Sequence, residues 1–247
     1  MRAQIILAAA LTVLAFAAGA LADEAQDILV KTDATLTKVK DQTYQAELKV
    51  LKDGKVVKSM NFTAKLKGLH MKLVRFTAPG DVKDMTVLTT VDDAMYVYIP
   101  SFQRVRRVAA HVRNAGFMGT DFSPEELGSA ALSVGWNAKM VSQDNDKWVL
   151  DLTPKPGTET TCSKMRVEVL KKVTSVASIT YFDGQGKAVK TQIREGWKNF
   201  GAVTIPARIV VTDLRTGSRS EIVFTGATVN TGLSDDAFTK RAILRAD

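Results

Sequence analysis

The chain has 247 residues, 34 Lys and Arg against 26 Asp and Glu, and a formal net charge of +8. The length suffices for one well-cored domain, and a lone cysteine, Cys162, excludes an intramolecular disulfide. The basic balance favours an anionic partner such as a lipid head group, a membrane surface or an acidic protein, while the scattered lysines form no nucleic-acid-binding motif.

Taken from its start, the chain shows a basic Arg2, an apolar run from Ile5 to Ala18, the small-residue site Ala20-Leu21-Ala22, and then the charges of Asp23 and Glu24. This is the pattern of a secretory signal peptide, residues 1–22. Its apolar run is shorter than the ~20 residues that span a bilayer. Cleavage after Ala22 would leave residues 23–247 as a single domain in the periplasm. An amphipathic helix follows, with Ala25, Ile28, Leu29, Leu36 and Val39 at helical spacing.

From Thr43 the period becomes two. Tyr44, Ala46, Leu48 and Val50 alternate with polar residues up to Asp53-Gly54, a hairpin signal. Met60, Phe62, Ala64 and Leu66 share one face of the returning strand, and a third strand after Gly68 alternates Leu69, Met71 and Leu73 with His70 and Lys72. Short strands at Met85–Thr90 and Met95–Ile99 come next. After Pro100 the regularity stops: Arg104, Arg106, Arg107, His111 and Arg113 precede Phe117-Met118-Gly119-Thr120-Asp121-Phe122. Ser123-Pro124-Glu125-Glu126 then forms a capping box with proline in the first turn, predicting a short helix from Pro124 to Leu132. Strands resume around Trp148–Leu152, Met165–Val169, Ile179–Tyr181, Ala188–Trp197, Ile205–Thr212 and Ser220–Thr228.

The expected fold is therefore mainly β with some α, an antiparallel meander of roughly ten or more strands. A sheet that long curls, because flat open sheets of this size are unusual. Met60, Phe62, Met71, Leu73, Val97, Ile99, Leu150, Met165, Val167 and Tyr181 are the candidates for its concave face. They either line a hydrophobic cavity or fill a core, and periodicity does not distinguish the two. Phe117, Met118, Phe122 and Leu127 are candidates for a lid or gate over that face, with ordinary packing as the alternative. Arg104, Arg106, Arg107 and Arg113 form a basic patch that suits either an anionic partner or a solvated sheet edge.

Arg75-Phe76-Thr77-Ala78-Pro79-Gly80-Asp81-Val82-Lys83, then Met95-Tyr96-Val97-Tyr98-Ile99-Pro100, Arg104 to Val108 and Phe117 to Ser123 closely resemble the outer membrane lipoprotein-sorting protein family, a LolA-like group of periplasmic carriers. Leu233-Ser234-Asp235-Asp236-Ala237-Phe238-Thr239 is similar to the end of that family. The resemblance implies a half-open antiparallel β-barrel covered by short helices, LolA/LolB-like, whose hydrophobic cavity takes lipid or an acylated protein. It also implies an arginine beneath the lid, for which Arg75 is the candidate. Partners implied in the same way are an inner-membrane transporter of the resistance-nodulation-division type and an outer-membrane acceptor.

Signs of catalysis are missing. His70 and His111 lack metal-ligand spacing, and Asp92-Asp93 and Asp235-Asp236 lie in turn contexts. No nucleophile elbow, phosphate loop or dinucleotide fingerprint occurs. A cofactor-free carrier, not an enzyme, is the expectation; a sensor or accessory module of the same fold is the alternative.

Overall fold

A computed structural model describes residues 24–109, 112–113, 115–128, 131–160 and 162–244. The expected signal peptide and His111 lie outside these residues. Helix α1 spans residues 24–34 and continues as a 3₁₀ turn over Thr35–Thr37. Its buried residues Ala25, Ile28 and Leu29 form the first part of the stripe that the spacing predicts, but the helix ends before the rest: Leu36 lies in the 3₁₀ turn and Val39 beyond it.

Strands β1 (Asp41–Lys52) and β2 (Lys55–Lys67) are joined at Asp53 and Gly54, both with positive φ (51° and 75°). Left-handed residues at both central positions match the right-handed twist of the flanking strands, which explains the Asp-Gly choice. The chain continues through β3 (Met71–Ala78), β4 (Thr86–Thr89), β5 (Met95–Ile99) and β6 (Arg104–Arg107). After a long crossing segment containing α2 (Pro124–Gly128) come β7 (Trp136–Gln143), β8 (Lys147–Pro154), β9 (Lys164–Leu170), β10 (Ser175–Phe182) and β11 (Ala188–Glu195). A separate hairpin of β12 (Lys198–Phe200) and β13 (Val203–Ile205) precedes β14 (Arg208–Asp213) and β15 (Arg219–Val229).

Thirteen strands form one antiparallel sheet in the order β6-β5-β4-β3-β2-β1-β15-β14-β11-β10-β9-β8-β7. The sheet is not closed into a barrel: β6 and β7 are its two edges. This differs from a simple meander. The first and last strands pair in the middle, Gln42 opposite Val229 and Leu48 opposite Ile222, and the halves run outward from that pair. The segment between β6 and β7 must therefore pass from one edge of the sheet to the other, which is why it interrupts the strand pattern.

Two apolar clusters occupy the inner face. One gathers Tyr44, Leu48, Met60, Phe62, Val74, Phe76, Val97 and Ile222 around Phe122 and Leu127 of the crossing segment. The other gathers Leu150, Met165, Val167, Ile179 and Tyr181 beneath Ala25, Ile28 and Leu29 of α1. Each half of the sheet thus has its own cover. On the opposite face Leu73 and Leu88 are buried by Phe238 and Ile243 of the C-terminal 3₁₀ turns. Asp41 holds that C-terminal segment in place, accepting bonds from Thr231 N (2.8 Å), Thr231 Oγ1 (2.8 Å), Gly232 N (2.9 Å) and Leu233 N (3.1 Å).

Several expectations are corrected here. Met71 and Leu73 do not face the concave side. Phe62 pairs with Phe76 and Ala64 with Val74, and directly opposed residues share a face, so β3 turns Val74 and Phe76 inward and Met71 and Leu73 outward. Arg75 points outward for the same reason: its Nη2 donates to Ala242 O (3.5 Å), far from any lid. The basic stretch Arg104–Arg107 is itself an edge strand, and Trp136–Gln143 is a strand that the pattern did not reveal. The stretch Ile205–Thr212 is divided at Pro206, with β13 ending before it and β14 beginning after it.

Candidate functional site

The candidate site is the covered concave face, and the segment that covers its first half is built from short-range rules. Ser123 and Glu126 form the expected capping box: Glu126 N donates to Ser123 Oγ (3.2 Å) and Ser123 N to Glu126 Oε2 (2.8 Å). The helix lies so close to the sheet that a Cβ on Gly128 would come within 2.8 Å of Met95 Cε and 2.9 Å of Thr89 Oγ1. Only glycine permits that approach, and Thr89 Oγ1 uses it to donate to Gly128 O (2.8 Å). Ahead of the helix, Phe117 N donates to Phe122 O (2.8 Å), closing a turn whose Met118 and Gly119 both have positive φ. Asp121 latches the turn to β15, accepting from Ser220 Oγ (2.7 Å) and from the Ser218 hydroxyl, while Lys58 Nζ donates to Met118 O (2.9 Å).

Of the proposed lid residues, Phe122 and Leu127 are buried in the first cluster, and Phe117 and Met118 pack against it half-buried. The cavity candidates are divided. Met60, Phe62 and Val97 join Phe122 and Leu127, with half-buried Ile99 beside them; Leu150, Met165, Val167 and Tyr181 lie under α1. The basic patch is divided as well. Arg113 and Arg107 converge on Glu159 at 2.9 and 3.6 Å, where the edge strand β6 faces the loop after β8, whereas Arg104 and Arg106 stay exposed on β6. Side-chain ion pairs, in place of a main-chain ladder, bridge the open seam there. Cys162 is buried, which raises its thiol pKa, and its Sγ donates to Lys164 O (3.2 Å).

Between the two apolar halves runs a polar strip that sequence reasoning missed. Tyr181 is opposite Lys190 and Ile179 opposite Gln192, so β11 directs Lys190, Gln192 and Arg194 inward and leaves Ile193 49% exposed on the outside. Arg194 Nε donates to Gln192 Oε1 (2.8 Å). Glu126 reaches down from α2 to pair with Lys190 (Nζ–Oε2 2.7 Å), both side chains nearly out of solvent at 4% and 12% exposure. Lys190 Nζ also lies 5.0 Å above the Tyr181 ring, within cation–π range. Lys72 of β3 shares the inner face with Leu66 and borders the same space.

Burial sets the electrostatics. It lowers the pKa of Lys72 to about 8, with Arg194 adding to the effect. Burial also lowers Arg194, against the opposing pull of Tyr181, Asp33 and Glu126. It raises Asp33, although Ser133 N donates to that carboxylate at 2.5 Å. The Tyr181 hydroxyl is pushed well above its usual range by burial and then by Glu126.

Two cavities flank the strip. One of about 160 Å³ is bordered by Phe62, Phe122, Leu127 and Phe224; the other, about 120 Å³, by Trp136, Met165, Ile179 and Tyr181. Leu36, Glu126, Gln192 and Arg194 border both and form the wall between them. Each is smaller than the roughly 300–1,000 Å³ of typical ligand pockets. Among the described residues no group of three or more His, Cys, Asp or Glu is placed to hold a metal ion, and no helix is long and apolar enough to cross a membrane.

A curled antiparallel sheet with separate edges, its concave apolar face roofed by short helices, defines a LolA-type half-barrel. A family model described as "Uncharacterized protein" matches residues 68–245, and the chain belongs to that family. Three solved structures share the fold. A DUF1329 family protein from Desulfovibrio piger aligns at 24% identity over 90% of this chain and 99% of its own, with a TM-score of 0.81. A putative outer membrane lipoprotein-sorting protein domain from Vibrio parahaemolyticus aligns at 21% identity, 91% and 100% coverage, and 0.81. A LolA superfamily protein from Nitrosomonas europaea aligns at 19% identity, 88% and 98% coverage, and 0.73. No curated protein matches the chain.

Proposed function

We propose that the protein is a periplasmic, non-enzymatic carrier that holds the acyl chains of a lipid or lipid-modified protein on its concave face and passes them towards the outer membrane. The observation that carries this reading is the cover: the segment after β6 buries Phe122 and Leu127 against one half of the inner apolar face, and α1 covers the other half. Moving an apolar chain through water is costly, about 0.8 kcal/mol per methylene, so a sixteen-carbon chain exposed in transit costs on the order of 10 kcal/mol. A carrier must bury that surface and later release it. With the lid docked the cavities of about 160 and 120 Å³ are too small for such a chain, so loading requires the crossing segment to rise and the two spaces to merge. The fold shared with a lipoprotein-sorting domain and a LolA superfamily protein supports the same reading. An export pump of the resistance-nodulation-division type as loading partner, and an acceptor at the outer membrane, belong to this proposal.

The test is native mass spectrometry of the gently purified protein, together with titration of a hydrophobic fluorophore. Co-purifying lipid, and micromolar fluorophore binding displaced by acyl-chain amphiphiles, are expected. A lipid-free protein that binds no fluorophore, yet forms a stable complex with a membrane protein, would overturn the carrier reading in favour of a sensor or accessory module.

A further inference from the structure

The polar strip carries buried ionisable groups that apolar cargo alone does not explain. Lys72, Lys190 and Arg194 project from the sheet into the covered space, and the carboxylate that the lid brings to them is Glu126. Asp33, which accepts from Ser133 N and attracts Arg194, and Glu125 border the same space from the covering side. Glu126 commits its Oε2 to Lys190 and Ser123 N, while its Oε1 is buried without a hydrogen-bond partner. A half-satisfied carboxylate in a low-dielectric space is costly, and so is a buried cation that has lost its counter-ion.

These two costs are coupled through the lid. Glu126 belongs to α2, so raising α2 withdraws the carboxylate, strips Lys190 of its ion-pair partner and leaves Arg194 only the pull of Asp33 on α1, in the middle of an apolar face. A ligand that supplies an anionic oxygen at that position removes the penalty, and its chain can extend into either flanking cavity, since both have Arg194 and Gln192 in their walls. We propose that Lys190 and Arg194, with Lys72, form the head-group site of the carrier for an anionic acyl amphiphile, and that Glu126 is an intramolecular stand-in for the anion, displaced on loading. This rests on the carrier reading and specifies its substrate class: an acyl chain bearing a carboxylate or a phosphate. Charge-assisted bonds from a planar guanidinium suit both oxyanions.

The experiment is calorimetric titration of the full-length protein with laurate, lauroyl-lysophosphatidate, neutral 1-lauroylglycerol and inorganic phosphate. The two anionic amphiphiles should bind roughly tenfold or more tightly than lauroylglycerol, an effect of the size expected for one charge-assisted bond; the tighter of the two identifies carboxylate or phosphate as the natural head group. Arg194→Met and Lys190→Met should each abolish that preference while lauroylglycerol still binds, and Glu126→Gln should tighten anion binding several-fold, because the competing carboxylate has gone. Should Arg194→Met not fold, as judged by circular dichroism, Lys72→Met serves as the second test. Equal binding of charged and neutral amphiphiles, a preference that survives these changes, weaker anion binding by Glu126→Gln, or inorganic phosphate binding as tightly as the lysophosphatidate would each overturn the head-group site while leaving the carrier intact. Failure of all three amphiphiles to bind would overturn the carrier reading, and the head-group site with it.

Discussion

Phe122→Ala is the change that most directly probes whether the crossing segment is a separable lid. Phe122 is 1% exposed and sits in the cluster that includes Phe62 and Leu127. Truncating a buried phenylalanine costs about 3–5 kcal/mol, transfer and cavity terms together. The latch at Asp121 and the Ser123–Glu126 box are untouched by the change, so the lid should still dock, only less firmly. If the segment detaches as its own unit, the whole loss falls on the docking equilibrium. At 1.36 kcal/mol per factor of ten, amide exchange over residues 115–128 should then rise roughly 150- to 5,000-fold. Hydrogen exchange read by mass spectrometry resolves this segment from β1 and β2, whose long ladders should keep their native protection. Fluorophore uptake should also become faster, since loading waits on the lid. If exchange rises by one common factor across lid and sheet, lid and sheet open together and the gate does not exist; if it does not change at all, Phe122 does not anchor the lid.

Leu73→Ala should lower stability by about 2–5 kcal/mol, as for other buried leucines, yet leave fluorophore affinity per folded molecule unaltered, because Leu73 packs under Phe238 and Ile243 on the outer face; a thermal melt paired with a binding titration checks both halves. Asp41→Asn should cost about 2 kcal/mol at neutral pH, the scale of a hydrogen bond to a charged group, by loosening the turn at Thr231–Leu233. Burial raises the pKa of Asp41, but the bonds from Thr231, Gly232 and Leu233 outweigh it, so the folded pKa lies below the ordinary one. The stabilisation is therefore complete above an ordinary aspartate pKa of ~3.9 and is lost as pH falls through the lower, folded value. Melting curves of the two proteins should converge in that acidic window, and a gap that persists or widens there would contradict the assignment.

Much of this molecule is written in short-range patterns. The Asp53-Gly54 turn, the alternation along β1 and β2, the capping box of α2 and the stripe of α1 each depend on residues a few positions apart, and the structure reproduces them. The family resemblance on Arg75–Ser123 anticipated the half-barrel as well. What the sequence could not reveal depends on strand partners distant in the chain. A strand has two faces, and a shift of one residue in pairing exchanges them. Leu73 reads as an inner residue until its neighbour Val74 is seen opposite Ala64, and Lys190, Gln192 and Arg194 have no assigned face until Tyr181 is seen opposite Lys190. Arg75 beneath the C-terminal turns and Arg194 beneath α2 are the same kind of case: composition and local order supply an arginine on a strand, and only the register decides which side of the sheet it serves. Likewise the pairing of β1 with β15 brings together residues almost 190 positions apart, and it is this contact that sends the crossing segment over the concave face. Local propensity acts over a turn or a hairpin, whereas the choice of face is made by the burial of the whole sheet at once.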